Sequence, residues 1–172
     1  CLAAYQSGYY VTTINFHLVG PEIAYILGNA ESKAYVTHER FAHESQRALE
    51  EAGLDASRAF AIGDVEGFRR FAELIEDQPK KRPEDVSSGS IMFYTSGTTG
   101  RPKGGRRALD SRHPDEVASG SGMRFLLFGI MPHDNHVEIT QAPTYHTAVN
   151  NWTTTALHWG HPVVLMDRWT PE

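Results

Sequence analysis

One short run carries most of the chemistry in this chain, Tyr94-Thr-Ser-Gly-Thr-Thr-Gly-Arg-Pro-Lys-Gly104. Gly97 and Gly100 let backbone N–H groups turn inward and approach a ligand closely. The hydroxyls of Ser96, Thr98 and Thr99 add donors that can follow rotating phosphate oxygens. Lys103 brings a mobile positive charge, and Pro102 stiffens the turn before it. A hydrogen bond to a charged group contributes ~1.5–3 kcal/mol, so five or six of them would hold a triphosphate well. The alternative is a Ser/Thr/Gly-rich surface turn. Three features weigh against that reading: the run follows an apolar strand, it mixes glycines with hydroxyls, and it ends in lysine. It is not a Walker A loop, because Gly100 is followed by Arg101 and Pro102 rather than by Lys-Ser/Thr.

Other groups say less. Arg101, Lys103, Arg106 and Arg107 form a basic stretch that would steer ATP or phosphopantetheine, or would simply be a solvated face. His133-x-x-His136 and His158-x-x-His161 have the spacing of metal ligands, but no cysteine or third ligand accompanies them, so no metal site is assigned. Trp152, Leu157 and Trp159 would line an acyl tunnel or, as aromatics at helical spacing more often do, pack a core.

The surrounding elements must position the loop. Strands are expected at 11–14, 34–37, 59–62, 90–94, 136–140 and 163–166. Helices are expected at 21–27, 40–52, 68–75, 114–128 and 147–159, with Gly28, Gly53 and Gly160 as stops. Leu2 to Gly8 reads as the last turns of a helix and 169–172 as the opening of another, which suggests a piece cut from a longer protein. Residues 77–89, with Pro79, Pro83 and Ser87-Ser-Gly, read as a joint between a first portion at 1–76 and a second at 90–172. Strands separated by helices predict an α/β fold with a doubly wound, mostly parallel sheet flanked by helices. The phosphate loop then leaves the carboxyl end of the 91–94 strand.

Composition sets the limits. The chain has 172 residues, 40% hydrophobic and 22% charged, which excludes a disordered or low-complexity protein. A net charge of −5 argues against nucleic acid as a partner. Cys1 is the single cysteine and forms no internal disulfide, so a reducing, cytoplasmic setting is expected. No apolar run approaches the ~20 residues of a membrane-spanning helix. Missing outer strands would leave an apolar edge and promote self-association.

The Thr95-Ser-Gly-Thr-Thr-Gly-Arg-Pro-Lys103 run resembles the phosphate-loop signature of the AMP-forming adenylating enzymes, which include acyl-CoA synthetases, peptide-synthetase adenylation domains and beetle luciferases. Ala142-Pro-Thr-Tyr-His146 resembles that superfamily's downstream Pro-Leu-Phe-His motif, with Thr144 and Tyr145 substituted. Tyr9 to His17, Glu22 to Ile26, and 163–172 resemble stretches of the fatty acyl-CoA ligase branch. The likeness is weakest from Gly105 to Asn135.

The resemblance implies an incomplete part of the large N-terminal domain of an acyl-CoA synthetase. It further implies ATP-dependent activation of a fatty acid through an acyl-adenylate to acyl-CoA, with ATP, Mg²⁺ and CoA taking part and only small molecules as substrates. By the same resemblance Thr95, Ser96, Gly97, Thr98, Thr99, Gly100 and Lys103 hold the β/γ-phosphates, and His146 sits at the carboxylate end of the acyl site. The family's Tyr-Gly-x-Thr-Glu segment, its ribose-binding Asp and the C-terminal-domain lysine do not occur before Glu172, so the chain alone is expected not to turn over. The alternatives are adenylation of an aryl or amino acid, a non-catalytic nucleotide-binding module, and a folded remnant that binds nothing.

Overall fold

Short β-branched and aromatic runs alternate with amphipathic helices along the chain. The computed structural model describes residues 1–81, 83–95 and 102–167. In chain order these form α1 (Leu2–Tyr5), β1 (Tyr10–Thr12), α2 (Gly20–Asn29), β2 (Tyr35–His38), α3 (Ala42–Ala52), β3 (Ala59–Ile62) and β4 (Arg69–Arg70). Then come β5 (Ser90–Thr95), β6 (Lys103–Arg106), α4 (Pro114–Ser121), α5 (Met123–Leu126), β7 (Glu138–Thr140), α6 (Thr147–His158) and β8 (Val163–Leu165). No helix among the described residues is long and apolar enough to cross a membrane.

The chain divides into two units. One is built on Ile14–Pro83 and also takes Tyr94, Thr95 and 102–104. Its sheet has the order β2-β3-β4, and both pairings are parallel, with Tyr35 opposite Ala59 and Phe60 opposite Arg69. Parallel neighbours need a crossover, and α3 supplies it between β2 and β3. Ile23 and Leu27 of α2 meet Tyr35 and Ala48 in the core, with Phe68 packed edge-on to Tyr35 at 5.7 Å. The polar groups this core encloses are satisfied: the Tyr35 hydroxyl donates to Ser45 Oγ at 3.0 Å, and Ser45 Oγ lies 2.7 Å from Thr37 Oγ1. Gly20 allows α2 and α3 to touch, since a Cβ there would stand 2.6 Å from Arg47 Cβ. Its N–H donates to Glu44 Oε2 at 2.5 Å.

The other unit comprises Cys1–Thr13, Glu84–Phe93 and the residues from Gly105 onward. β5 lies between β1 and β6, and runs parallel to β1 with Val11 opposite Ile91. β7 and β8 form a second small parallel sheet, with Ile139 opposite Val164. Phe125, Ala156 and Trp159 are buried together, with Trp152, Ile130 and Val163 packed around them. The Phe125 ring stacks on Trp152 at 4.9 Å and meets Trp159 edge-on at 5.6 Å. Trp152 and Trp159 thus pack a core, whereas Leu157 is 43% exposed.

Three expectations changed. The helix expected over 68–75 is instead the two-residue strand β4 followed by a 3-10 turn, Phe71–Leu74. Arg69 and Arg70 join the ladder beside Phe60 and Ala61, which leaves too few residues for an α-helix before Asp77 turns left-handed at φ 59°. The helix expected over 114–128 breaks at Gly122, where a Cβ would fall 2.0 Å from the Trp159 ring. Gly28 is not a stop, because α2 runs through it to Asn29.

Local ion pairing gives stability a pH dependence. The Arg112 guanidinium binds Asp110 through both carboxylate oxygens, at 2.6–3.0 Å, and holds its carboxyl down at about 2. The ordinary aspartate value is near 3.9, so the folded state binds this proton more weakly than the unfolded chain. Its contribution is therefore complete above about pH 4 and disappears as pH falls toward 2. Asp110→Asn is expected to lower the urea midpoint at pH 7 and to match the parent near pH 2. An equal offset at both pH values would contradict this.

Candidate functional site

The apolar strand β5 ends at Thr95, and β6 opens at Lys103. Thr95 and Lys103, at the two ends of the candidate phosphate loop, lie on adjoining strands of one sheet, and both are exposed. Ser96, Gly97, Thr98, Thr99 and Gly100 lie outside the described residues. What the structure adds is how the loop's arms are fixed. The Tyr94 hydroxyl donates to Asn29 Oδ1 at 2.7 Å, and the Tyr25 hydroxyl donates to the Pro102 carbonyl at 3.3 Å. Tyr25 and Asn29 are four residues apart, and so share one face of α2. One helix face thereby holds the penultimate residue of β5 and the proline after the loop. Partial burial, and then the neighbouring Tyr25, push the Tyr94 hydroxyl up, so Tyr94 stays a neutral donor. Lys103 makes no ion pair among the described residues, which leaves its ammonium available to an anion.

His146 belongs to the other unit and stands at the N-cap of α6, in extended conformation with φ −72° and ψ 129°. It is exposed, and its ring lies 4.4 Å from Tyr145. The motif's backbone is held from below. Asn150, buried in α6, donates from Nδ2 to the Thr144 carbonyl at 3.2 Å and accepts the Tyr5 hydroxyl at 3.0 Å. Thr13 Oγ1 donates to the Tyr145 carbonyl at 3.1 Å. Burial pushes the Tyr5 hydroxyl up to about 12, so it remains a donor at any physiological pH. Tyr5, Thr13, Tyr25, Asn29 and Asn150 were not singled out from the sequence. Even the four-residue spacing of Tyr25 and Asn29 was hidden, because Asn29 lies beyond the helix end expected at Gly28.

Of the two histidine pairs, the structure brings His136 and His161 together. His161 is buried, with its ring 5.3 Å from His136 and its Nδ1 3.4 Å from Asp134 Oδ1. Among the described residues, no group of three or more His, Cys, Asp or Glu side chains could hold a metal ion. Mg²⁺ needs no dedicated protein cage, because it is bound largely through substrate phosphates and water.

Comparison with known proteins accounts for this arrangement. The model of the AMP-binding enzyme family matches residues 1–172. The chain belongs to the AMP-binding enzyme family. It is 30% identical over 121 residues to a 2-succinylbenzoate–CoA ligase of Enterococcus faecalis, which covers 70% of this chain and 22% of that protein. It is 28% identical over 157 residues to an indoleacetate–CoA ligase of Aromatoleum aromaticum, covering 88% and 29%. The chain thus spans less than a third of these family members. Its fold matches that of a long-chain-fatty-acid–CoA ligase from Archaeoglobus fulgidus, with a TM-score of 0.67, 21% identity, and coverage of 94% of this chain and 31% of that one. The α/β fold is therefore that of an N-terminal region of this family.

Proposed function

We propose that the protein activates a carboxylic acid as its CoA thioester. A carboxylate oxygen attacks the α-phosphorus of ATP, the bond to the β-phosphate oxygen breaks, and pyrophosphate leaves. The CoA thiol then adds to the acyl carbon of the acyl-adenylate, loses its proton and displaces AMP. The barrier is electrostatic, since an anion attacks a polyanion while charge grows on the departing pyrophosphate. Thr95, Ser96, Gly97, Thr98, Thr99, Gly100 and Lys103 hold the β- and γ-phosphates and stabilise that charge. Mg²⁺, when bound with the nucleotide, neutralises part of it. His146 orients the substrate carboxylate from the start of α6. The observation that carries the reading is a Gly- and hydroxyl-rich loop whose two arms are pinned to one face of α2 and which ends in a lysine that makes no ion pair among the described residues.

A fatty acid is the first choice of substrate, on the sequence stretch Tyr9 to His17. An aryl or amino acid is the second, the aryl case supported by the likeness to 2-succinylbenzoate– and indoleacetate–CoA ligases. The whole protein, given ATP, Mg²⁺ and an acid, is expected to exchange labelled pyrophosphate into ATP, and the 172-residue chain is not. Enzyme-like exchange by the chain alone, or none by the whole protein with fatty, aryl and amino acids alike, would overturn the assignment.

A further inference from the structure

A cavity of about 240 Å³ opens within the unit that carries His146. One stripe of α6, from Thr147 through Asn151 and Thr155 to His158, forms its floor. At 1.5 Å per residue this stripe runs for about 16 Å. Ile91 and Phe93 of β5 and Val117 of α4 supply apolar wall. The permanent charges are one-sided: Arg107 and Arg124 line the cavity, and among the described residues no Asp or Glu does. Arg124 is fixed in place. Its Nη2 donates to Thr155 Oγ1 at 3.0 Å and to the Asn151 carbonyl at 3.3 Å, and its guanidinium lies 5.6 Å from the centre of the Trp152 ring. Its buried Nε–H has no hydrogen-bond partner among the described residues. Tyr10 holds the Arg107 backbone by donating to its carbonyl oxygen. Burial pushes the His158 imidazole down, against a smaller opposing pull from the Asp115 carboxylate, so His158 is neutral at pH 7.

A guanidinium cannot shed its charge by losing a proton, and an unpaired donor beside it is costly to bury. Arg124, with the exposed Arg107 also lining the cavity and no acid among the described lining residues, calls for an anion. The apolar wall calls for a short organic body attached to it. We infer that this cavity takes the carboxylate of a small organic acid and, resting on the function proposed above, that the acid activated is a dicarboxylate. Thr147, at the cavity's near end, directly follows His146, where the reacting carboxylate is placed. The residues that hold Arg124 lie four and eight positions further along α6, about 6 and 12 Å away. The second carboxylate therefore sits one to two helical turns from the first. An unsubstituted alkyl tail would leave the Arg124 Nε–H unpaired.

The test titrates the chain, without ATP, with suberate, monomethyl suberate and inorganic phosphate, by calorimetry and through the Trp152 indole resonance. Suberate is expected to bind about tenfold more tightly than its monoester, the worth of one charged hydrogen bond. Arg124→Gln and Arg107→Gln should each erase that preference while leaving ester binding unchanged. Arg107 is exposed, so its variant remains informative if Arg124→Gln fails to fold. Equal affinity for diacid and ester, tighter binding of phosphate, or a preference that survives in both variants would overturn the carboxylate pocket. In the whole protein, pyrophosphate exchange should favour suberate over octanoate by a similar factor. Equal rates would sink the dicarboxylate assignment. Absence of exchange with every acid, alongside a preserved diacid preference, would remove the proposed reaction and leave the pocket standing.

Discussion

Replacing Thr98 and Lys103 together by alanine is expected to weaken ATP binding by about two to four orders of magnitude. Each substitution removes a donor to a phosphate oxygen, and such bonds contribute ~1.5–3 kcal/mol apiece. Lys103 contributes charge as well as a hydrogen bond, and among the described residues no carboxylate competes for it. Neither change is expected to unfold the chain: Lys103 is exposed at the start of β6, and the variants' thermal transitions provide the control. Asn29→Ala gives a graded companion. It deletes the acceptor of the Tyr94 hydroxyl, touches no phosphate, and should weaken ATP binding by less than either loop substitution alone. Undiminished affinity in the double variant would remove the phosphate assignment. A larger loss in Asn29→Ala than in Lys103→Ala would mean that α2, rather than the loop, contacts the nucleotide.

The loop was legible because its chemistry is local: glycines, hydroxyls and a lysine in fixed order after a strand. The same holds for the helix expected at 40–52, which is α3: Ser45, Ala48 and Leu49 are buried, and Gly53 ends the helix at φ 61°. The strand expected at 59–62 is β3 itself. The parallel arrangement also followed from the alternation of strands and helices, though it is divided among small sheets of three, three and two strands. What could not be read depends on partners distant in sequence. Arg69 and Arg70 have no strand propensity of their own and pair only because Phe60 and Ala61 offer an open ladder edge. Tyr25 and Asn29 look like ordinary helix-surface residues until Tyr94 and Pro102 are brought against them. Asn150 looks like a polar interruption in α6, yet its two hydrogen bonds fix the Thr144 backbone and receive Tyr5. Long-range hydrogen bonding of this kind leaves no periodicity to detect.

Phe125→Ala should be the most destabilising single change in the His146 unit. Its side chain is fully buried, and its ring contacts Trp152, Trp159, His136 and His161. Truncating such a phenylalanine costs about 3–5 kcal/mol, which lowers Tm by roughly 10 °C in a chain of this size. Leu127, two residues on and 84% exposed, is the control, and its alanine variant should stay within about 0.5 kcal/mol of the parent. Phe125 lies under the ring on which Arg124 rests, so its loss frees Trp152 to tilt and loosens the guanidinium above it. Diacid binding should therefore fall in Phe125→Ala even below its melting temperature, and stay unchanged in Leu127→Ala. Full diacid affinity in a destabilised Phe125→Ala would show that Asn151 and Thr155 hold Arg124 without help from the aromatic stack. A loss below 1 kcal/mol would show that the cluster repacks around the cavity, and that Trp159, pressed against Gly122, anchors this core instead.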